Sequence, residues 1–311
     1  MTRREWLALS ASALSAQQEP TIRVDVDLVS VLFSARDKRG GLISTLTQAD
    51  VEVFEDGKPQ QIRSFVRESD LPLTVGLLVD VSRSQENLIE TEKRAAMAFF
   101  RTVLKQRDMA FVISFGSEAE LIQDLTSSPR ILETGLQTLR VDGSAYSAIN
   151  PGTIPSNPRG TILYDSIFLA AEDKLKGEVG RKVIVLITDG MDQGSRKTLP
   201  QAIAAAHRAD AIIYSVYYVD PTVYHFHMYG VTDSYLKKIS EETGGRLFRV
   251  DRKLTLDQIF RQIEEEMRTQ FALSYSSSNP ARDGGFRKLE IRPRNKELRI
   301  QARKGYYANK S

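Results

Sequence analysis

Leu73-Thr-Val-Gly-Leu-Leu-Val79 runs directly into Asp80-Val-Ser82-Arg-Ser84, and this junction decides the fold. An unbroken apolar run of this length reads as a strand buried on both faces, as the inner strands of an open α/β sheet are. Because the strand ends in one carboxylate and two hydroxyls, three hard oxygen ligands sit at the carboxyl edge of the sheet, where open α/β folds bind their ligands. That donor set suits Mg²⁺ or Mn²⁺.

Two further segments belong with it. Arg159-Gly160-Thr161 opens an apolar helix expected over residues 162 to 171, and Lys182-Val-Ile-Val-Leu-Ile-Thr188-Asp189-Gly190 is another buried strand ending in Asp-Gly. Asp-x-Ser-x-Ser with a distant Thr and a distant Asp resembles the metal-ion-dependent adhesion site of the von Willebrand factor type A family. Ala211-Ile-Ile-Tyr-Ser-Val-Tyr-Tyr-Val219 follows as a late core strand, and Glu241-Glu-Thr-Gly-Gly245 precedes a short strand at 246 to 250. The resemblance covers residues 73 to 268. It implies a doubly wound, mostly parallel sheet flanked by helices, with Asp80, Ser82, Ser84, Thr161 and Asp189 as the metal ligands.

The 311 residues are enough for one large or two modest domains, and 41% hydrophobic residues are ample for a core. The 43 basic and 40 acidic residues are spread along the chain and leave a formal charge of +3, so no basic stripe argues for a nucleic-acid partner. With no Cys, disulfides, zinc-thiolate sites and thiol catalysis are excluded.

Met1-Thr-Arg3-Arg4-Glu-Trp6-Leu-Ala-Leu-Ser-Ala-Ser-Ala-Leu-Ser-Ala16 reads as an export signal of twin-arginine appearance with a short apolar core. No other stretch approaches the roughly 20 apolar residues of a membrane-spanning helix. The mature chain is expected outside the cytoplasm, periplasmic or secreted.

The flanks have a different texture. Ile22-Arg-Val-Asp-Val-Asp-Leu-Val-Ser-Val-Leu-Phe33 alternates with period two, Lys38-Arg-Gly-Gly41 is a turn, and Val51-Glu-Val-Phe54 with Glu55-Asp-Gly57 makes a hairpin. The same alternation returns in Phe271-Ala-Leu-Ser-Tyr275, Phe286-Arg-Lys-Leu-Glu-Ile-Arg292 and Leu298-Arg-Ile-Gln-Ala302, closing with Arg303-Lys-Gly-Tyr-Tyr307. Neither flank has enough strands to bury a core alone. Residues 20 to 70 and 271 to 308 are therefore expected to form one small antiparallel β-sandwich, with the domain of residues 71 to 268 inserted in it. The Val-x-Val-x-Glu-Asp-Gly segment and the Arg-Lys-Gly-Tyr-Tyr ending resemble the bacterial VWFA-related Acidobacterial domain.

Within the central part, helices are expected over 86 to 105, 129 to 139, 198 to 208, 233 to 243 and 255 to 268, the last with a Thr255-x-x-Gln258 capping box. Residues 109 to 115 read as a buried strand and 118 to 123 as a lone antiparallel edge strand. Residues 141 to 159, rich in Gly, Pro, Ser and Asn, read as a long loop before Thr161, either a partner surface or a decoration.

Mg²⁺ takes about six oxygens and binds through one or two carboxylates. Ser82 and Ser84 supply neutral hydroxyls; Asp80 and Asp189 supply charge, directly or through water. The resemblance implies that one coordination position stays open for an Asp or Glu of a partner protein, so that an ion held by few charged ligands remains electrophilic. Other residues carry less. Asp192 reads as a water-orienting or plain loop-capping residue, Asp165 as a surface or capping residue, and His225-Phe-His227 as a chelating spacing without acidic neighbours in sequence.

Two other classes remain beside adhesion. A haloacid-dehalogenase phosphatase needs a second Asp where Ser82 stands, and no Gly-x-Ser-x-Gly elbow of a serine hydrolase occurs. A structural module with a silent metal site fits the same residues. The sequence thus points to an exported, non-enzymatic, divalent-metal-dependent protein-binding module.

Overall fold

The computed structural model describes residues 28–67, 71–142, 160–220 and 229–310. Its centre is a six-stranded sheet built from β5 (Leu73–Asp80), β6 (Met109–Phe115), β7 (Ala119–Thr126), β8 (Arg181–Thr188), β9 (Ala211–Tyr217) and β10 (Leu247–Arg249). The strand order is β10-β9-β8-β5-β6-β7. All neighbouring pairs are parallel except β6 with β7, whose antiparallel pairing makes β7 the lone reversed edge strand the sequence leads one to expect.

Every residue of β5 is buried, because helices cover both faces. On one face α1 (Ile89–Val103), α2 (Pro129–Thr138) and α6 (Leu256–Arg268) pack on Val75, Leu77, Val79, Val183 and Val185. On the other, α3 (Leu163–Leu169), α4 (Leu199–Ala209) and α5 (Tyr229–Thr243) pack on Leu78, Ile113, Ile184, Leu186 and Ile213. The alternation of Leu77 and Leu78 between the two cores is the period of two of a strand sandwiched between helical layers.

Helix ends follow local chemistry. Thr255 N donates to Gln258 Oε1 at 2.8 Å while Thr255 Oγ1 accepts from Gln258 N at 3.4 Å, the capping box expected at the start of α6. Three helices differ from their expected spans, α5 by starting at Tyr229 and not at 233. α1 starts at Ile89, since Arg83–Gln85 is a 3₁₀ turn that carries the chain off the strand end. α3 is followed without interruption by a π turn over Ala170–Leu175, which lengthens that helical segment beyond residue 171.

The flanks supply two four-stranded antiparallel sheets. One has the order β13-β1-β11-β4 and the other β14-β12-β2-β3, where β1 is Leu28–Arg36, β2 Val51–Glu55, β3 Lys58–Gln60, β4 Ile62–Arg67, β11 Phe271–Ser276, β12 Phe286–Pro293, β13 Arg299–Ala302 and β14 Gly305–Tyr307. Each sheet combines strands from both ends of the chain, alternating in the first and side by side in the second. Their inner faces share one core of Val31, Phe33, Phe271 and Tyr275 against Val51, Val53, Leu289 and Ile291. Phe33 pairs with Phe271, and their rings stack at 5.4 Å.

The chain passes from β4 to β5 and returns from α6 to β11 at neighbouring points. β4 and β11 pair, with Phe271 opposite Arg67. Arg181 clasps the crossing, donating from Nη1 to Met267 O at 2.5 Å and from Nη2 to Leu71 O at 3.2 Å.

Candidate metal site

The order β10-β9-β8-β5-β6-β7 reverses direction around β5. From β5 the chain moves through α1 to β6 on one side, then crosses back through α3 to β8 on the other. The crevice at the carboxyl ends of β5 and β8 is therefore the topological switch point, the place where open α/β sheets hold ligands. Val79 pairs with Ile187, so the next residues, Asp80 and Thr188, come side by side. Thr188 Oγ1 donates to Asp80 Oδ2 at 2.6 Å.

The turn after β5 folds back on the same carboxylate. Ser82 N donates to Asp80 Oδ1 at 2.9 Å, an Asx turn natural to Asp-x-Ser. Ser82 Oγ and Ser84 Oγ lie 3.0 Å apart, and Ser84 Oγ donates to Asp189 Oδ2 at 2.6 Å. Asp189 is turned toward the crevice by Gly190, whose φ of +80° only glycine adopts easily, and its other oxygen accepts from Met191 N at 3.0 Å. A hydrogen-bonded line thus runs from the Asp80 carboxylate, through the main chain of Ser82 and the two serine hydroxyls, to Asp189.

Thr161 reaches the same edge through its main chain. Ile162 N donates to Gly116 O at 2.9 Å, just beyond the end of β6, where Phe115 pairs with Asp80. Thr161 O accepts from Gln193 N at 3.0 Å and Gly194 N at 3.2 Å, binding its segment to the loop after Asp189. That approach needs glycines: a Cβ on Gly160 would lie 2.4 Å from the Gln193 side chain, and one on Gly194 2.4 Å from Gly160 O. Val81 adds a brace, its N donating to Phe115 O and its O accepting from Asp142 N.

The two carboxylates are buried, Asp80 at 0% and Asp189 at 1% exposure, while Ser82 and Ser84 are half-buried. Burial, with Asp189 beside it, pushes the Asp80 carboxyl up to about 7, against the hydrogen bonds from Ser82 and Thr188. Among the described residues no three His, Cys, Asp or Glu side chains are grouped to hold a metal. The oxygens gathered at this edge are instead those of two carboxylates and the hydroxyls of Ser82 and Ser84, with Thr161 tied to the same edge through its main chain; all are hard oxygens of the kind that suits Mg²⁺ or Mn²⁺ and not a soft ion. A buried pair of carboxylates, with no basic side chain among the described residues hydrogen-bonded to Asp80, also fits a cation.

Asp192 is a loop-capping residue: its Oδ1 accepts from Tyr164 N at 3.2 Å and from Ser195 Oγ at 2.5 Å. Burial raises its carboxyl above the usual range. Asp165 likewise clamps the loop, accepting from Arg196 N at 3.0 Å and Lys197 N at 2.7 Å. His225 and His227, residues 143 to 159 of the expected long loop, and residues 1 to 16, read from sequence as an export signal, lie outside the described residues.

Three residues at this edge escape the motif. Thr188 orients Asp80. Gln85 and Glu92, buried at 0% and 1%, have acceptors without partners: Gln85 Oε1, Glu92 Oε1 and Glu92 Oε2. The available signal for Glu92 is its position in the apolar stripe of α1, three residues after Ile89 and four before Ala96, where a charged residue is out of place.

No described helix is long and apolar enough to cross a membrane. No family model matches the chain, and no curated protein does. Solved structures do resemble it. BatB, a conserved hypothetical protein from Bacteroides thetaiotaomicron, is 19% identical over 63% of this chain and 97% of that one, with a TM-score of 0.46. The vWF domain of the type V pili tip protein Mfa5 from Porphyromonas gingivalis is 11% identical over 65% and 96%, with a TM-score of 0.48. Proximal thread matrix protein 1 from the mussel byssus, in a form with a zinc-occupied MIDAS motif, is 13% identical over 65% of this chain and 50% of that one, with a TM-score of 0.47.

Proposed function

We propose that this chain is an extracytoplasmic, non-enzymatic protein-binding module whose carboxyl-edge crevice holds Mg²⁺ or Mn²⁺ through Asp80, Ser82, Ser84, Thr161 and Asp189. The ion supplies a Lewis-acidic position for an Asp or Glu carboxylate of a partner protein. The single observation that carries this reading is the hydrogen-bonded line from Asp80 through Ser82 and Ser84 to Asp189 at the switch point of the sheet. Two buried carboxylates balance a divalent ion, and neutral hydroxyls leave it electrophilic. Residues 1 to 16 act as the export signal, residues 71 to 268 as the binding domain, and 20 to 70 with 271 to 308 as the sandwich that carries it.

A second reading has an observation of its own. Thr188 to Asp80 and Ser84 to Asp189 are both 2.6 Å hydrogen bonds that partly satisfy the ligands without an ion, as a structural module with a silent site requires. Calorimetric titration of the full chain with MgCl₂ separates the two, followed by binding of an immobilised acidic peptide with and without chelator. Saturable Mg²⁺ binding and chelator-sensitive peptide capture support the adhesion reading; no heat of binding leaves the silent module, and turnover of a generic phosphoester would turn the assignment to a hydrolase.

A further inference from the structure

Glu92 is the least explained side chain in the described structure. It lies on α1 with 1% exposure, and neither carboxylate oxygen has a hydrogen-bond partner among the described residues. Buried carboxylates are ordinarily paired or hydrogen-bonded, since an isolated one costs far more than a neutral amide. The charged groups that bear on Glu92 are both negative: burial raises its carboxyl well above the usual range, and Asp80 and Asp189 push it in the same direction. Gln85 Oε1 is a third orphaned acceptor at this end of the sheet, and both residues lie near Tyr218, whose carbonyl accepts from Gln85 Nε2 at 3.5 Å and whose phenol is raised by burial and then by Glu92.

Both oxygens of Glu92 thus lie under the influence of two further carboxylates without a donor of their own, and Gln85 Oε1 is stranded beside the same Tyr218. Packing does not account for the acid, because α1 presents Ile89, Ala95, Ala96 and Phe99 to the same core and a Leu or Met at position 92 would fill it without orphaned polar oxygens. Direct ligation does not account for it either, because Glu92 completes no three-carboxylate group with Asp80 and Asp189. What remains is a role one layer out.

We infer that Glu92 is a positioning residue of the cation site, accepting hydrogen bonds from water held by the ion bound between Asp80 and Asp189. This rests on the metal site proposed above. Water on a divalent ion is a strong, polarised donor, so it supplies the missing partners, and the third carboxylate raises the negative charge available to hold the ion. Outer groups of this kind change metal affinity about 10–100-fold when removed.

The test compares the full chain with Glu92→Gln and Glu92→Leu by MgCl₂ calorimetry and by thermal unfolding in chelator. Both variants are expected to bind Mg²⁺ at least tenfold more weakly, while their midpoints in chelator stay level or rise because a buried acid is gone. Glu92→Leu keeps the result readable if Gln, unpartnered in turn, folds poorly. A wild-type chain that binds Mg²⁺ with variants that bind equally well overturns this inference and leaves the metal site standing. Midpoints that fall equally in chelator and in Mg²⁺, with affinity unchanged, assign Glu92 a packing role and also overturn it. A wild-type chain without Mg²⁺ affinity overturns both readings together.

Discussion

The hydroxyl of Tyr306 donates to Glu55 Oε2 at 2.8 Å, joining residues 251 positions apart in the chain. Glu55 belongs to the Val-x-Val-x-Glu-Asp-Gly segment and Tyr306 to the Arg-Lys-Gly-Tyr-Tyr ending, so the two motifs of the flanks meet in space. Tyr275 donates to the same oxygen at 2.8 Å and Ser277 to the other at 2.6 Å, which leaves the 2%-exposed carboxylate fully paired. Burial and Glu55 together push the Tyr306 phenol up to about 12 and that of Tyr275 higher still. The sandwich is closed at this point by three hydroxyls on one acid.

Tyr306→Phe removes one of those donors and is expected to cost about 1–2 kcal/mol, whereas Glu55→Ala strands three buried or half-buried hydroxyls and should cost about 3 kcal/mol or more. Urea unfolding of the full chain gives both values. Equal, small effects would mean that the cluster contributes little to holding the sheets together.

At the crevice, Asp80→Ala should abolish stabilisation by Mg²⁺. An ion at 100 times its dissociation constant adds about 2.7 kcal/mol to the wild-type chain, and that increment should vanish in the variant. Asp80 ends a strand at the sheet edge and does not fill the core between helices, so the fold should survive. Matching thermal midpoints with and without Mg²⁺ in the variant, against a shift in the wild type, is the expected record. A shift of the same size in both would remove Asp80 from the ligand set.

Much of this site was legible beforehand because its ligands are consecutive with strand ends. Apolar runs fix β5 and β8, and the residue after each run must emerge at the carboxyl edge, so Asp80 and Asp189 come together once the strands are neighbours. Thr161 was harder, since only a helix start and Gly160 mark it. Gln85 was not legible, being an ordinary turn residue in sequence, and Glu92 was marked only as a charge in the apolar stripe of α1; the packing of that helix is what shows that their oxygens are stranded. In the flanks, the alternating strands announced a sandwich, but β4, Ile62-Arg-Ser-Phe-Val-Arg67, carries only partly buried and exposed residues and gives a weak pattern. Its place at the edge beside β11 is decided by pairing, not by periodicity. The π turn after α3 has no signal in the residues of Ala170–Leu175.

His207 sets a pH dependence away from the metal site. Its ring is 5% exposed, stacks on Phe286 at 5.5 Å, and places Nε2 2.8 Å from Glu242 O. Burial first, and Arg303 further, lower its basicity below the ordinary 6.5, against the pull of the Glu242 carbonyl. Between that lowered value and 6.5 the unfolded chain binds more protons than the folded one, so stability rises with pH there. The contribution is complete above 6.5 and is lost progressively as acid carries the pH below it. Urea midpoints near pH 5 and pH 8 should differ in the wild type, and His207→Gln, which keeps a donor for Glu242 O, should flatten the difference. An unchanged slope would place the responsible group elsewhere.

The crevice and the sandwich are expected to be joined rigidly, without communication between them. Only Thr269 and Gln270 lie between α6 and β11, so any axial movement of α6 must move the sandwich or break the joint. Glu266, fully buried near the end of α6, holds the helix to both sides of that joint. It accepts from Arg36 Nη2 at 2.5 Å and Ser34 Oγ at 3.0 Å on β1 and from Gln301 Nε2 at 3.0 Å on β13, with Arg246 at 3.5 Å. A movement of even one helical residue, about 1.5 Å, would sever these bonds and strand a buried carboxylate, at about 3–5 kcal/mol. Coupling between two sites is typically worth only about 1–3 kcal/mol, so the clamp should win and the connection should stay rigid. Amide exchange over residues 271–307 is therefore expected to be the same in chelator, in Mg²⁺, and in Mg²⁺ with an acidic peptide. Glu266→Gln should loosen the joint and lower stability without changing Mg²⁺ affinity. Exchange that slows or quickens in β11 on adding Mg²⁺ and peptide to the wild type would show a second position of α6 and overturn the rigid reading.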